Sequence, residues 1–242
     1  MPGDAPKFAR LLDRLEKFYG KPKPPYPADP YEMILYINCA YPATEAACAK
    51  SFEALKKSVG VKVDDILAAP REKLAAVTKV GGSFPEKRAA RLQEIAAMVK
   101  YEFAGDLRTA FKKPLLEARK ALKKFPCIGD PGADKILLFT KTAPIAAVPS
   151  NCVHVPLRLG LGEEKKNYAA SYRSAQEAIG ARLPDECSAL IRAYLLLKQH
   201  GQELCKNSRP RCDLCPVSSD CVYFKRTKKP QVAAPRVAPS VD

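Results

Sequence analysis

The chain has 242 residues, of which 41 are Lys or Arg and 26 are Asp or Glu, giving a formal net charge of +15 and an isoelectric point near 9.4. It is long enough to bury a core without metal or disulfides, and it has neither an apolar stretch of the roughly 20 residues that a membrane span needs nor an apolar N-terminal block typical of a secretory signal. We therefore expect a cytoplasmic protein with no membrane partner, attracted to polyanions.

Helical periodicity dominates the sequence. Residues 1–27 contain one amphipathic helix and a stiff proline-rich connector, KPKPPYP. Apolar residues then recur at spacings of three and four in segments 30–41, 44–59, 63–69, 70–80, 86–103, 115–125, 131–141, 171–183 and 185–201. The best candidate for a strand, residues 145–155, is broken by Pro149. The sequence therefore predicts an all-α fold.

Two basic runs stand out against this background. Residues 108–124 contain seven basic side chains and one acidic one, and residues 205–229 contain seven basic and two acidic ones. A solvated helix face would explain either run alone. Because each run lies beside a separate motif, together they favour a nucleic-acid surface.

The first motif along the chain is a tight turn between two helices. The sequence FPCIGDPG predicts that one helix ends at Phe125, that the turn passes through Gly129, and that the next helix begins near Pro131. Such a turn directs backbone N–H groups outward, where they can bind a DNA phosphate. A simple corner between two helices is the structural alternative.

The second motif is a group of four cysteines, Cys205, Cys212, Cys215 and Cys221, spaced Cys-x6-Cys-x2-Cys-x5-Cys. In a reducing compartment, clustered cysteines ligate metal more often than they form disulfides. Zinc and an iron–sulfur cluster both suit four thiolates, and the presence of only one Cys-x2-Cys pair favours iron–sulfur. The remaining cysteines, Cys39, Cys48, Cys127, Cys152 and Cys187, are expected to be buried free thiols.

These motifs resemble, in order, those of the helix-hairpin-helix DNA glycosylase superfamily. FPCIGDPGADKIL is similar to its Leu-Pro-Gly-Val-Gly hairpin, and the cysteine spacing is similar to the [4Fe-4S] loop of its endonuclease III branch. DPYEMILYINCAYPATE resembles its first core helix and wedge region, and GGSFPEKRAARL resembles its Gly-x-x-x-x-Lys-Ala segment. The resemblance covers residues 27–224 and implies two α-helical lobes with DNA and a flipped base at the cleft between them.

The resemblance also implies a domain organisation and a set of DNA contacts. An N-terminal helix and connector (1–27) would join the cluster lobe, a six-helix-type lobe (28–140) would carry the hairpin, the cluster lobe (141–224) would carry a [4Fe-4S] cluster, and a basic tail (225–242) would be disordered. The cluster would order a basic loop against the phosphate backbone. The DNA-binding residues would be Cys127, Ile128, Gly129, Gly132, Lys206, Arg209 and Arg211.

The sequence departs from the family at its catalytic positions. The lysine that forms a Schiff base in strand-cleaving members aligns with Pro131, and the family's catalytic aspartate aligns with Pro149. Proline has no amine, so a lyase of the usual kind is not expected. The wedge glutamine aligns with Pro42, and the first glycine of the hairpin is Cys127.

Two functions follow from this pattern. The first is a monofunctional base-excision-repair glycosylase that acts on duplex DNA with a damaged or mismatched base, with uracil as the first substrate guess and an alkylated base as the second. Its candidate catalytic residues are Asp134, Asp130 and Asn151, each of which has a structural alternative as a helix-capping or first-turn residue. Candidates for the base pocket or wedge are Asn38, Tyr41, Pro42, Ser150 and His154.

The second function is binding of damaged DNA without catalysis, which the two prolines would also explain. A zinc or iron–sulfur protein of wholly different function is a more distant third possibility. In the first two cases we expect a monomer that associates with the bacterial nucleoid.

Overall fold

The fold is all-α, as the sequence predicts. The computed structural model describes residues 5–227, and no strand occurs within this range. Its helices are α1 (Ala5–Tyr19), α2 (Pro30–Ala40), α3 (Glu45–Ser58), α4 (Val63–Ala68), α5 (Arg71–Lys79), α6 (Pro85–Glu102), α7 (Leu115–Leu122), α8 (Asp130–Phe139), α9 (His154–Leu159), α10 (Tyr168–Gly180), α11 (Cys187–Glu203) and α12 (Val222–Thr227). None of these described helices is long and apolar enough to cross a bilayer. The predicted disordered tail lies outside the described residues, except for 225–227, which belong to α12.

The first group of helices, α2 to α8, is centred on α2, which is almost entirely buried. Helices α3, α6 and α8 contact α2 directly, α4 and α5 contact α6, and α7 contacts α8. Helix α2 starts where it does because Asp29 Oδ1 accepts hydrogen bonds from the backbone N–H groups of Tyr31 and Glu32, and Pro30 needs no such partner. Buried Arg88 on α6 donates to Ala40 O at 3.0 Å, which ties α6 to the end of α2. This tie supports the wall of the cleft that follows α2.

The second group of helices is built on α11, which contacts α1, α8 and α9. Gly201 on α11 lies so close to the segment before α9 that a Cβ there would stand 2.6 Å from Cys152 Sγ. Arg192 on α11 forms ion pairs with Asp13 and Glu16 of α1. Helix α1 therefore packs along the helix that leads into the four-cysteine loop.

Asp134 on α8 connects the first group of helices to α10, which belongs to the second group. Its side chain is 1% exposed. Its carboxylate accepts two hydrogen bonds from Arg119 on α7, at 2.6 and 2.9 Å. Tyr172 and Gln176 of α10 donate to the same carboxylate, each at 2.9 Å. Buried charges persist when they are paired and hydrogen-bonded in this way. The carboxylate of Asp134, a catalytic candidate from the sequence, is thus enclosed at the junction between α7, α8 and α10, and Asp134 does not line the cleft described below.

Candidate functional site

The turn between α7 and α8 is a hairpin with the features that the sequence predicts. Helix α7 ends at Leu122, three residues before the predicted end at Phe125, and Gly129 precedes the first turn of α8 as predicted. The backbone N–H of Ile128 donates to Phe125 O at 3.2 Å. Cys127 adopts φ 61°, in the left-handed region that favours glycine, at the position of the family's first hairpin glycine. Ile128 is buried against Gly132. Its contribution to DNA binding would therefore come from its backbone.

Asn38 supports this hairpin from within. Its side chain is fully buried, and Nδ2 donates to Ile34 O at 3.1 Å and to Pro126 O at 3.0 Å. Asn38 does not line the cleft described below. Asn38, a base-pocket candidate from the sequence, thus connects the hairpin to α2 through Nδ2, while its buried Oδ1 has no hydrogen-bond partner among the described residues.

Asp130, the other aspartate considered as catalytic, lies on the surface of the first turn of α8. Its carboxylate is 2.7 Å from Lys123 Nζ and 3.6 Å from Arg119 Nη2. The hydrogen bond from Lys123 lowers the pKa of Asp130 below its ordinary value. Asp130 does not line the cleft either, so its geometry is that of a first-turn carboxylate paired with basic neighbours.

A cleft of about 710 Å³ opens between the hairpin, the loop after α2 and the segment leading into α9. It brings together most of the residues that the sequence singled out. Those that line it are Tyr41, Pro42, Cys127, Gly129, Pro131, Gly132, Pro149, Ser150, Asn151, His154 and Lys206. The two prolines that replace the family's catalytic residues thus lie in one cleft, and of the three catalytic candidates only Asn151 lies with them.

Exposed tyrosines flank this cleft. Tyr41 is 49% exposed and Tyr168 is 50% exposed, and both line it. The hydroxyl of Tyr168 donates to Ser150 O at 3.2 Å, and its ring stacks on Tyr172 with 6.3 Å between centroids. An aromatic face held in this way is a platform on which a nucleobase can stack. Tyr168 was missed because it begins a helix that the sequence placed three residues later, from Ser171.

His154 links the cleft to the four-cysteine loop. Its Nε2 is 2.6 Å from the carbonyl oxygen of Cys205. Burial lowers the pKa of the imidazole below its ordinary value. The imidazole is therefore neutral, and its Nε2–H donates to the Cys205 carbonyl and holds the four-cysteine loop in position. The main role of His154 in the cleft is thus to stabilise the loop beside it.

The inner part of the cleft contains charged residues that the sequence reading did not single out. Lys135 and Lys198 both approach the ring of Tyr26, with their Nζ atoms 4.7 and 5.1 Å from the ring centroid. Lys198 Nζ also donates to Tyr26 Oη at 2.6 Å and forms an ion pair with Glu45. All four side chains line the cleft.

Burial determines the protonation of this group. It lowers the pKa of both Lys135 and Lys198 to about 8, so both ammonium groups remain mostly charged at pH 7. Burial also raises the pKa of Tyr26 far above its ordinary value, so its phenol stays neutral. The charge of Lys198 is neutralised by its ion pair with Glu45, whereas no carboxylate within residues 5–227 forms an ion pair with Lys135.

The four cysteines of the C-terminal loop line a single cavity, with Leu159, Leu204, Tyr223 and Phe224 among its walls. Arg158 Nη1 donates to Cys205 Sγ at 3.7 Å, and His200 Nε2 lies 3.6 Å from Cys215 Sγ. Burial raises the pKa of Cys215 to about 11, with a further contribution from the neighbouring cysteines. Within the described residues, no group of three or more His, Cys, Asp or Glu is arranged to hold a single metal ion. Four soft sulfur donors around one cavity with mainly apolar walls fit an iron–sulfur cluster.

The basic side chains of this loop are exposed. Lys206, Arg209 and Arg211 point to solvent, and of these only Lys206 lines the cleft. The loop backbone is fixed by Arg158, which donates to Lys206 O at 2.9 Å and to Asn207 O at 2.6 Å. The cations are thus attached to an ordered backbone beside the cleft. Of the other five cysteines, Cys127 and Cys187 are half-buried rather than buried.

Comparison with known proteins gives one consistent group of relatives. Endonuclease III of Thermotoga maritima is 23% identical over 189 residues, covering 78% of this chain and 79% of that protein. Endonuclease III of Rickettsia prowazekii is 30% identical over 108 residues, but this match spans only 48% of that protein. No protein-family model matches the chain.

Solved structures agree on the fold. A non-covalent endonuclease III–DNA complex superimposes with a TM-score of 0.72 at 20% identity, covering 92% of this chain and 97% of that one. A thermostable thymine-DNA glycosylase superimposes with a TM-score of 0.71 at 21% identity, covering 90% and 96%. The chain therefore has the same overall fold as these two proteins.

Proposed function

We propose that this chain, an endonuclease III-like protein of the helix-hairpin-helix DNA glycosylase superfamily, removes a damaged base from duplex DNA in base excision repair. The observation that carries the proposal is the cleft itself. Its outer part is flanked by exposed tyrosines and the hairpin, and its inner part holds polar and charged side chains. Such a cleft can accept a nucleotide that has been rotated out of the duplex, at a cost of a few kcal/mol that is lowest for mispaired or damaged bases.

We further propose that the reaction is hydrolytic, with a deaminated base, uracil first, as substrate. Pro131 occupies the position from which strand-cleaving relatives supply an amine, and it lines the cleft without one. Water must then attack the sugar. Ser150 and Asn151 line the cleft and offer hydrogen-bonding groups that can orient it.

The four cysteines, in this proposal, hold a [4Fe-4S] cluster. When bound, the cluster would supply a rigid anchor for the loop. Lys206, Arg209 and Arg211 then contact the phosphate backbone on one side of the cleft, and the hairpin contacts it on the other. One copy of the chain contains all of these parts, which is consistent with a monomer.

Product analysis tests the hydrolytic reaction. Incubation with duplexes that contain uracil, hypoxanthine, oxidised bases or alkylated bases should give strand breaks only after hot alkali, because hydrolysis leaves an intact abasic strand. Sodium borohydride should trap no covalent complex. A trapped complex that disappears in Lys135→Met would show instead that an amine one turn along α8 attacks the sugar, and the hydrolytic proposal would be wrong.

A second candidate function is binding without catalysis, and the specific observation that favours it is that Pro131 and Pro149 both line the cleft. The same panel of duplexes decides between the two. Release of any base by the wild-type protein, and its loss in a cleft variant, excludes the binding-only function. Selective binding of a damaged duplex without release from any member of the panel would establish it.

DNA binding in either case should weaken steeply with salt. If the hairpin and the basic loop together contact about six phosphates, the affinity should fall by about 10³-fold between 50 and 200 mM salt. Fluorescence anisotropy with an undamaged duplex measures this slope directly. Replacing both Arg209 and Arg211 with Gln should reduce the slope of log affinity against log salt concentration by about 2, since two phosphate contacts are lost. An affinity of the wild type that does not change with salt would contradict the proposed surface.

A further inference from the structure

Lys135 lies one helical turn beyond Pro131 on α8. A residue four positions along a helix is displaced by about 40° around the axis and about 6 Å along it, whereas a residue three positions along lies about 60° away on the other side. This explains why Lys135, and not Asp134, lines the cleft with Pro131. The axial displacement is directed away from the hairpin and towards buried Phe139. The backbone of Lys135 is therefore about 6 Å further from the hairpin along α8 than that of Pro131, and both residues line the cleft.

The charge of the inner cleft is unbalanced. Three lysines line the cleft, Lys135, Lys198 and Lys206, whereas Glu45 is the single carboxylate among its lining residues. That carboxylate is already paired with Lys198. The ring of Tyr26 is within about 5 Å of both Lys135 Nζ and Lys198 Nζ, and its phenol remains neutral because burial raises its pKa. A group bound at this depth is therefore exposed to a net positive field in a poorly solvated site, where charge interactions are stronger than in water.

We propose that Lys135, supported by Lys198 and Tyr26, binds the departing base and stabilises it as an anion, which makes the cleft selective for bases that leave as anions. This inference rests on the proposed function. In the reaction, the bond between C1′ and the base nitrogen breaks and its electron pair leaves with the base. The oxygen of water bonds to C1′ and its proton passes to solvent. The negative charge that develops on the base is matched by the Lys135 ammonium, and the base later takes up a proton from water.

The substrate class follows from this charge. Uracil departs as an anion and presents carbonyl oxygens that an ammonium can hydrogen-bond. A purine alkylated on its ring nitrogen is already cationic, departs without negative charge, and is repelled by an ammonium at this depth. The inner cleft therefore favours uracil and its relatives and disfavours the alkylated bases that the sequence left as a second choice.

The decisive experiment compares leaving groups in single-turnover reactions. Lys135→Met should slow release of uracil by roughly 10²-fold, the effect of removing one preorganised donor to a developing anion. It should slow release of 5-fluorouracil by a clearly smaller factor, because the fluorine already stabilises the departing anion. Lys135→Arg should recover part of the rate, and Lys57→Met, on an exposed site of α3 outside the cleft, should behave as wild type. If Lys135→Met slows the release of uracil and of 5-fluorouracil by the same factor, the defect is merely structural and the inference is overturned.

A binding measurement separates this inference from the proposed function. Duplexes with 2′-fluoro sugars resist cleavage, so they can be compared at equilibrium with uracil or with cationic 7-methylguanine as the base. The wild type should bind the uracil duplex more tightly, and Lys135→Met should reduce that preference. If no base is released from any natural duplex but this preference is found, the proposed function is wrong and the charge selectivity stands. If the wild type binds the methylguanine duplex equally well or better, or releases that base faster than uracil, the charge selectivity is wrong.

Discussion

Replacing Asp134 with asparagine should lower the free energy of unfolding by about 3 kcal/mol or more. The substitution is nearly isosteric, so it creates no cavity, but it leaves the guanidinium of Arg119 without its buried counter-charge. Removing one partner of a buried, hydrogen-bonded pair typically costs about 3–5 kcal/mol. The hydrogen bonds from Tyr172 and Gln176 are also disturbed, and these connect α10 to α8.

Urea unfolding followed by circular dichroism measures this effect, and Asp130→Asn provides the matched control. Asp130 lies on the same helix but pairs with Lys123 at the surface, so its replacement should change stability by less than about 1 kcal/mol. At a temperature where Asp134→Asn remains folded, its rate of base release should be close to that of the wild type. A folded protein of normal stability that releases no base would instead restore Asp134 to the list of catalytic residues.

Replacing Cys212 or Cys215 with serine should remove the iron–sulfur cluster and most of the DNA affinity. The wild-type protein should purify brown, with iron and labile sulfide in similar amounts. Because ligand binding orders a loop of this kind, losing one thiolate releases Lys206, Arg209 and Arg211 from their fixed positions. The affinity for duplex DNA should then fall by at least about tenfold, the equivalent of about 1.4 kcal/mol.

Cys187→Ser is the control for the cluster variants, since Cys187 is a half-buried thiol that does not line the cavity. It should keep the colour, the iron and the DNA affinity of the wild type. Wild-type protein that contains zinc but neither iron nor sulfide would contradict the assignment of the cluster. Serine variants that lose iron but keep full affinity would contradict its proposed role in ordering the loop.

The order of helices could be predicted from the sequence because each of the main helices has a clear period of three to four. The exceptions show the limits of that signal. Helix α9 (His154–Leu159) contains Pro156, is only six residues long and continues an apolar run, so it has too few turns to show a period. Helix α12 (Val222–Thr227) is equally short and was counted partly as tail. Such helices depend on their tertiary neighbours rather than on their own sequence pattern.

Residues of the candidate site could be predicted only where they align with a motif of the resembled family. Alignment with the family placed Tyr41, Ser150 and Asn151 at the cleft, and all three line it. Asn38 and Asp134 look equally available in the sequence, but nothing in it reveals that both are buried and already hydrogen-bonded. Lys135 could have been found from the helical period, since it is nearer to the face of Pro131 than Asp134 is. Glu45 carries no comparable signal, because its place in the cleft depends on its tertiary pairing with Lys198 of α11, more than 150 positions away.

The packing of α1 along α11 affects how the protein folds during synthesis. The apolar face of α1, with Phe8, Leu11 and Leu15, packs against a helix that lies more than 170 positions later in the chain. Contacts this distant along the chain form slowly. Until α11 has been synthesised, that apolar face lacks its partner helix. Arg14 of α1 forms an ion pair with Asp220, next to Cys221, so the four-cysteine loop gains this contact only once α1 has docked on α11.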